Sequence, residues 1–155
     1  MKQYKLRKKE LKDLVAQLQP FGYQGDGREF FIIDDKERLV LADQQVMFFS
    51  CSQGFVPTLH AVRLGLVALL EVVVDMGAVR FISSGADVMR PGIRDFPPDL
   101  KTGQVVKVVD EKNHVALCVA RALTDAQGMA GSTTGKVLEN LQHVGDKRWE
   151  FGKES

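Results

Sequence analysis

Three arginines, Arg80, Arg90 and Arg94, bracket the side-chain-poor run Ser83-Ser84-Gly85-Ala86. A guanidinium binds phosphate through paired, charge-assisted hydrogen bonds. The two serine hydroxyls can donate to phosphate or to a 2′-hydroxyl, the group that separates RNA from DNA. Gly85 and Ala86 present almost no side chain, so a phosphate or ribose can come close to backbone amides there. Lys147 and Arg148 add positive charge from the end of the chain. These residues make up a candidate RNA-docking surface that reads shape and backbone charge, with little discrimination of sequence.

The flanking residues predict the elements that hold this surface. Val72 to Val74 are β-branched and read as a short buried strand. Asp75 then serves as a helix N-cap, its carboxylate accepting from an otherwise unpaired amide of the first turn. The helix runs about two turns before Gly85 stops it in a left-handed C-terminal conformation. Ala78, Val79, Phe81 and Ile82 form its expected inward face, with Arg80, Ser83 and Ser84 toward solvent. Ala86 to Ile93 alternates like a strand and ends in the Pro91-Gly92 turn. Phe81 and Met89 are expected in the core, and Phe96, beside Pro97-Pro98, is the aromatic expected at the surface.

Elsewhere the same rules give two domains. Residues 1–71 read as an α+β domain. Lys5 to Leu18 carries a helical apolar stripe, followed by the turn-rich Gln24 to Glu29. Strands are expected at Phe30 to Ile33, in RLVLAD and at Val46 to Cys51, and a second helix from Pro57-Thr58 to Leu64. Residues 72–155 read as mostly β. Val105 to Val109 and Val115 to Leu123 form an antiparallel pair, and Thr124 to Gly131 a capped helical turn. KVLENLQHV and RWEF form a closing hairpin around Gly145-Asp146, with Trp149 closing the barrel. Short strands at regular spacing suggest a small, partly closed β-barrel with short helices.

Other chemistries fit less well. AGSTTGK, Ala130 to Lys136, has alanine where a phosphate-binding loop needs its first glycine, and a strand where it needs a helix. His60, His114 and His143 are far apart and neither Cys51 nor Cys118 has a nearby ligand, so no metal or other cofactor is expected. Asp75 resembles a nucleophile only in residue type, because its position is that of a cap. No catalytic residue is assigned.

The run D-x-G-A-V-x-F-x-x-S-G-A-D-V-M-x-P-G-I, from Asp75 to Ile93, resembles the opening of a PUA domain, an RNA-binding module shared by pseudouridine synthases and archaeosine transglycosylases. The similarity continues through Gln104 to Leu123 and Gly135 to Trp149. GFVPTLHAVR, Gly54 to Arg63, is similar to the N-terminal domain of a narrower group, the malignant-T-cell-amplified-sequence and translation machinery-associated proteins with their archaeal relatives. The resemblance implies a non-enzymatic RNA-binding protein of the translation apparatus. Its PUA domain would take structured RNA, such as the acceptor end of tRNA or rRNA, and its N-terminal domain would contact the small ribosomal subunit. An initiation-factor-like protein partner is a further expectation. Two alternatives stay open: an accessory module delivering RNA to a modification enzyme, and a protein-interaction adaptor.

Composition sets the outer bounds. With 21 Lys and Arg against 20 Asp and Glu, the net charge is +1, unlike a protein that coats nucleic acid indiscriminately. From Val72 onward basic and acidic residues balance, so a basic face there has to arise from folding. The first turns are basic: Lys2, Lys5, Arg7, Lys8, Lys9 and Lys12 stand against Glu10. They suit a solvated face, a second RNA contact or a membrane surface. No apolar run is long enough to span a bilayer, and two cysteines without CxxC spacing fit a reducing, cytoplasmic setting.

Overall fold

The sequence predicts a helix from Lys5, but the chain begins with a strand, β1, at Lys2–Lys5, and α1 starts later, at Lys8–Leu18. The computed structural model describes residues 2–23, 30–34, 36–42, 44–51 and 54–146. They divide into two compact units, one ending at Ala68 and one spanning Leu69–Asp146. In the first unit β1 is followed by β2 (Phe31–Asp34), β3 (Arg38–Ala42), β4 (Gln45–Cys51) and β5 (Gly54–Pro57). Each strand pairs antiparallel with the next, giving one sheet in the order β1-β2-β3-β4-β5.

The two strands beyond the expected three are the edges, and both lack apolar alternation. β1 is Lys-Gln-Tyr-Lys, a polar edge whose lysines discourage pairing with another chain. β5 opens on Gly54, whose φ of +114° lets the chain turn back onto β4 where the sequence suggests a break. The second helix, α2 (Leu59–Arg63), starts where expected. Thr58 caps it by accepting from the Ala61 amide, and its hydroxyl donates to Val46 O at 2.7 Å.

The second unit contains β6 (Glu71–Val74), α3 (Met76–Ser83), β7 (Val88–Met89), β8 (Ile93–Asp95), β9 (Val105–Asp110), β10 (Ala116–Ala122), α4 (Ala126–Gly131) and β11 (Lys136–His143). Its six strands form a mixed sheet, ordered β7-β11-β10-β9-β6-β8, in which β6 runs parallel to β9. Its core includes Val72, Val74, Ile82, Val106, Cys118 and Leu138. Burial pushes the Cys118 thiol far above its ordinary range, and the side chain serves as a small apolar core group. The strand expected over Ala86 to Ile93 is broken. A single helical turn at Arg90–Gly92 separates β7 from β8, because Pro91 lacks the amide a ladder needs. The closing strand RWEF, with Trp149, and the turn Gln24 to Glu29 lie outside the described residues.

The turn between β9 and β10 depends on Asp110. Its buried carboxylate accepts from the amides of Asn113 at 2.8 Å, Val115 at 2.7 Å and Lys112 at 3.1 Å. The bond from Asn113, then that from Val115, outweighs burial and holds the carboxyl below its ordinary pKa of 3.8. A depressed folded pKa means that the unfolded chain binds the proton first. The resulting stability is present above pH 3.8 and is lost as pH falls through the lowered value. Asp110→Asn is therefore expected to be less stable than the native protein at neutral pH. The gap should narrow below pH 3.8 in acid-unfolding curves of the two proteins.

Candidate nucleic-acid interface

Local rules decide how α3 begins and ends. Asp75 Oδ1 accepts from the Ala78 amide at 2.9 Å, which confirms the cap. At the other end Gly85 takes φ +106°, with its amide donating to Ile82 O at 3.0 Å and the Ala86 amide to Phe81 O at 3.0 Å. This reciprocal pair is a Schellman cap, which satisfies carbonyls the helix itself leaves unpaired. The Ser84 amide also donates to Phe81 O, at 3.2 Å. All three amides of the loop are thus committed to the helix end, and the amide cradle expected around Gly85 and Ala86 is closed to a phosphate.

Two residues of β11 hold this loop, and the sequence reading assigned neither. Asn140 Nδ2 donates to both Ile82 O and Ala86 O, each at 3.0 Å, while its own amide donates to Asp87 Oδ1 at 2.8 Å. His143 lays its ring against Gly85, where a Cβ would come within 2.9 Å of Cε1. In a regular strand residues 140 and 143 face opposite sides of the sheet. Here β10 pairs Val119 with Gln142 and Ala120 with Asn140, so Leu141 is an extra residue on β11. The bulge re-aims the strand end, and both side chains reach the same loop.

The arginines fare differently. Arg80 is exposed in the last turn of α3, its guanidinium carbon 4.9 Å from the centroid of the Phe81 ring. Among the described residues it forms no ion pair. Arg90 is half-buried: Nε donates to Met129 O at 2.7 Å and Nη1 to Ile93 O at 3.4 Å, and the guanidinium lies over Phe96 at 5.7 Å. It ties the end of α4 to the start of β8. Arg94 does not extend the row. It sits 3.5 Å from Glu111 and 4.0 Å from Asp75, at the N-terminal end of α3, whereas Gly85 is about 12 Å away along the helix at 1.5 Å per residue.

Ser83 is half-buried and Ser84 exposed, with Ser84 Oγ donating to Arg80 O at 2.9 Å. Phe81, expected in the core, is 55% exposed and Met89 50%, while Ile82 is buried; Phe96, expected outside, is half-buried against the core. Lys147 and Arg148 lie outside the described residues. The structure thus brings Arg80, Phe81, Ser84, Gly85 and His143 to the C-terminal end of α3 and leaves Arg94 at the other.

Comparison with known proteins agrees with this architecture. A profile described as the PUA domain matches residues 71–144. An uncharacterized protein of Methanocaldococcus jannaschii is 36% identical over 156 residues, covering 97% of this chain and 96% of that one. Translation machinery-associated protein 20 of Saccharomyces cerevisiae is 29% identical over 151 residues, covering 94% of this chain and 82% of that protein. Among solved structures, a conserved PUA-domain protein of Thermoplasma acidophilum shares the fold, with a TM-score of 0.82 at 22% identity over 94% of this chain and 96% of that one. The chain belongs to the PUA-domain proteins, with homologues among the translation machinery-associated proteins. Among the described residues, no helix is long and apolar enough to cross a membrane.

Proposed function

We propose that the protein binds structured RNA within the translation apparatus, through the C-terminal end of α3. One observation carries this reading. Of the three arginines that bracket the glycine loop in the sequence, Arg90 is spent on carbonyls and Arg94 on carboxylates at the far end of α3, while Arg80 stands exposed without an ion pair among the described residues. An uncompensated guanidinium beside serine hydroxyls attracts a phosphate or ribose. The yeast relative's name places that protein in the translation machinery, which supports the same setting here.

In this reading the RNA is the acceptor end of a tRNA or a segment of rRNA. The unit ending at Ala68 contacts the small ribosomal subunit, where the exposed Lys8, Lys9 and Lys12 of α1 suit an RNA backbone through counterion release. The reading assigns no catalytic step, and a partner with an initiation-factor-like domain is compatible with it.

The test is RNA binding across a range of salt, with crosslinking to identify the bound RNA and peptides. Arg80→Ala is expected to weaken binding and to lower the slope of log affinity against log salt by about one. Co-sedimentation with small subunits supports the ribosomal setting, and co-purification with a modification enzyme would move the protein to the accessory class. Lack of RNA affinity at low salt overturns the proposal and leaves a protein-interaction adaptor.

A further inference from the structure

We propose that a groove of the first unit, between one edge of α1 and the sheet beneath it, docks an extended segment of a partner protein, one that presents a bulky apolar side chain between a basic and an acidic residue. The proposal is independent of the RNA-binding reading and concerns a different surface. Its warrant is the shape of the groove, the charge on its two walls and the complementarity these demand.

The floor is apolar and open. Leu6 lies just ahead of α1, Leu14 comes from α1 itself, and Ile32 and Phe55 come from β2 and β5. Together they line a groove of about 210 Å³. Leu14 and Ile32 are buried, whereas Leu6 and Phe55 keep part of their surface in water. Small-molecule sites usually offer about 300 Å³ or more and enclose most of the ligand. This groove is smaller and is bordered by the exposed Asp13, Gln17 and Arg38, so it suits one side chain of a larger molecule.

The two walls carry opposite charge. Glu10, Asp13 and Gln17 recur at helical spacing and form one edge of α1 along the groove. The other wall has Arg38 of β3, whose Nη2 donates to Tyr4 Oη at 3.3 Å and whose guanidinium carbon is 5.8 Å from the centroid of the Phe55 ring. Ser50, opposite Phe55 on β4, accepts from the Arg38 amide at 2.8 Å, and its small side chain leaves room for the guanidinium to reach that ring. Neither Asp13 nor Arg38 has an ion pair among the described residues.

That polarity selects the occupant. A basic residue of the partner meets Glu10 and Asp13, an acidic one meets Arg38, and the apolar side chain between them covers Phe55 and Leu6. An RNA backbone is disfavoured, because two carboxylates along one wall repel phosphate. The lysines that suit RNA, Lys8 and Lys12, project about 150° away around α1 at 3.6 residues per turn.

The experiment titrates the full chain with end-blocked pentapeptides and follows the methyl signals of Leu14 and Ile32 and the ring signals of Phe55 by NMR. The probes are Lys-Ser-Phe-Ser-Glu and its reverse, the like-charged forms with two Lys or two Glu, and a form with Ala in place of Phe. One of the two mixed-charge peptides is expected to give saturable shifts at all three residues and to bind about fivefold more tightly than either like-charged form, since two exposed ion pairs are made or lost. The alanine form is expected to bind more weakly still. Asp13→Lys, a change at an exposed position, is expected to transfer the preference to the peptide with two Glu, and Arg38→Glu to the peptide with two Lys. Arg80→Ala is expected to bind the peptides as the native protein does, whatever becomes of its RNA affinity. Absence of saturable shifts, equal affinity for the like-charged peptides, or preferences unmoved by both charge reversals overturns the proposal. Free phenylalanine binding as tightly as the best peptide overturns it in favour of a small-molecule site, and an RNA hairpin that shifts the same three signals overturns it in favour of RNA.

Discussion

Asn140→Asp is expected to lower the stability of the Leu69–Asp146 unit by about 3 kcal/mol, more than Asn140→Ala at about 2 kcal/mol. The alanine variant loses two hydrogen bonds, to Ile82 O and Ala86 O, and leaves both carbonyls without their side-chain donor. The aspartate variant loses the same donors and sets a negative charge against the two carbonyl oxygens. No partner among the described residues compensates on the other side, because Asn140 Oδ1 is buried without a hydrogen bond there. A carboxyl forced into such a place has its folded pKa raised above the unfolded value of about 3.9. Its native state then binds the proton first, so the deficit is largest at neutral pH and shrinks as pH falls through the raised value. Thermal unfolding of the two variants between pH 7 and 5 reads this sign. Amide exchange at Gly85 and Ala86, whose protons sit in the cap, locates the opening. An aspartate variant as stable as the alanine one would show that the added charge costs nothing there, and an alanine variant as stable as the native protein that Asn140 does not pin the loop.

What the sequence disclosed about α3 follows from rules that act over a few residues. Asp75 before an apolar run and Gly85 after it predict both ends of the helix, because capping bonds span three or four residues. The same run also predicts a loop open to phosphate, and that expectation fails because the glycine that permits the left-handed turn lets the loop amides fold back onto the helix. Phe81 was out of reach for a different reason. In an eight-residue helix, 78, 79 and 82 already complete one face, and 81 falls beside it, so a hydrophobic type alone misplaces the ring inward.

The residues that hold the site from β11 depend on longer-range order. Period-two alternation sends Asn140 and His143 to opposite faces, and only the extra residue at Leu141 unites them. Pairing information between β10 and β11 would have revealed it, and the amino-acid pattern does not contain it. Arg94 likewise reads as a free surface cation until β8 pairs with β6 and carries it to Asp75 and Glu111. The exposed charge at Arg80, without an ion pair among the described residues, is therefore a product of the fold, as the near-neutral composition requires.

Gly85→Ala is the second large effect, an expected loss of about 3 kcal/mol with two separable parts. The first is backbone: a φ of +106° lies outside the region open to L residues, and holding a side chain there costs about 1–3 kcal/mol. The second is contact, since a Cβ at this position would stand 2.9 Å from Cε1 and 3.3 Å from Nδ1 of His143. Removing the ring tests the division. In Gly85→Ala/His143→Ala the contact disappears and the strain stays, so about 1 kcal/mol should return relative to the sum of the single variants. Adjacent residues couple in this way only if they touch, so full additivity in the double-mutant cycle would show that the ring does not rest on the glycine. The two parts also differ in what they do to RNA binding. Strain in the cap alters the direction of Phe81 and Arg80, whereas the loss of His143 alone leaves the cap bonds intact. Under the RNA-binding reading, Gly85→Ala weakens binding to structured RNA even when measured well below its unfolding temperature. His143→Ala changes that affinity less.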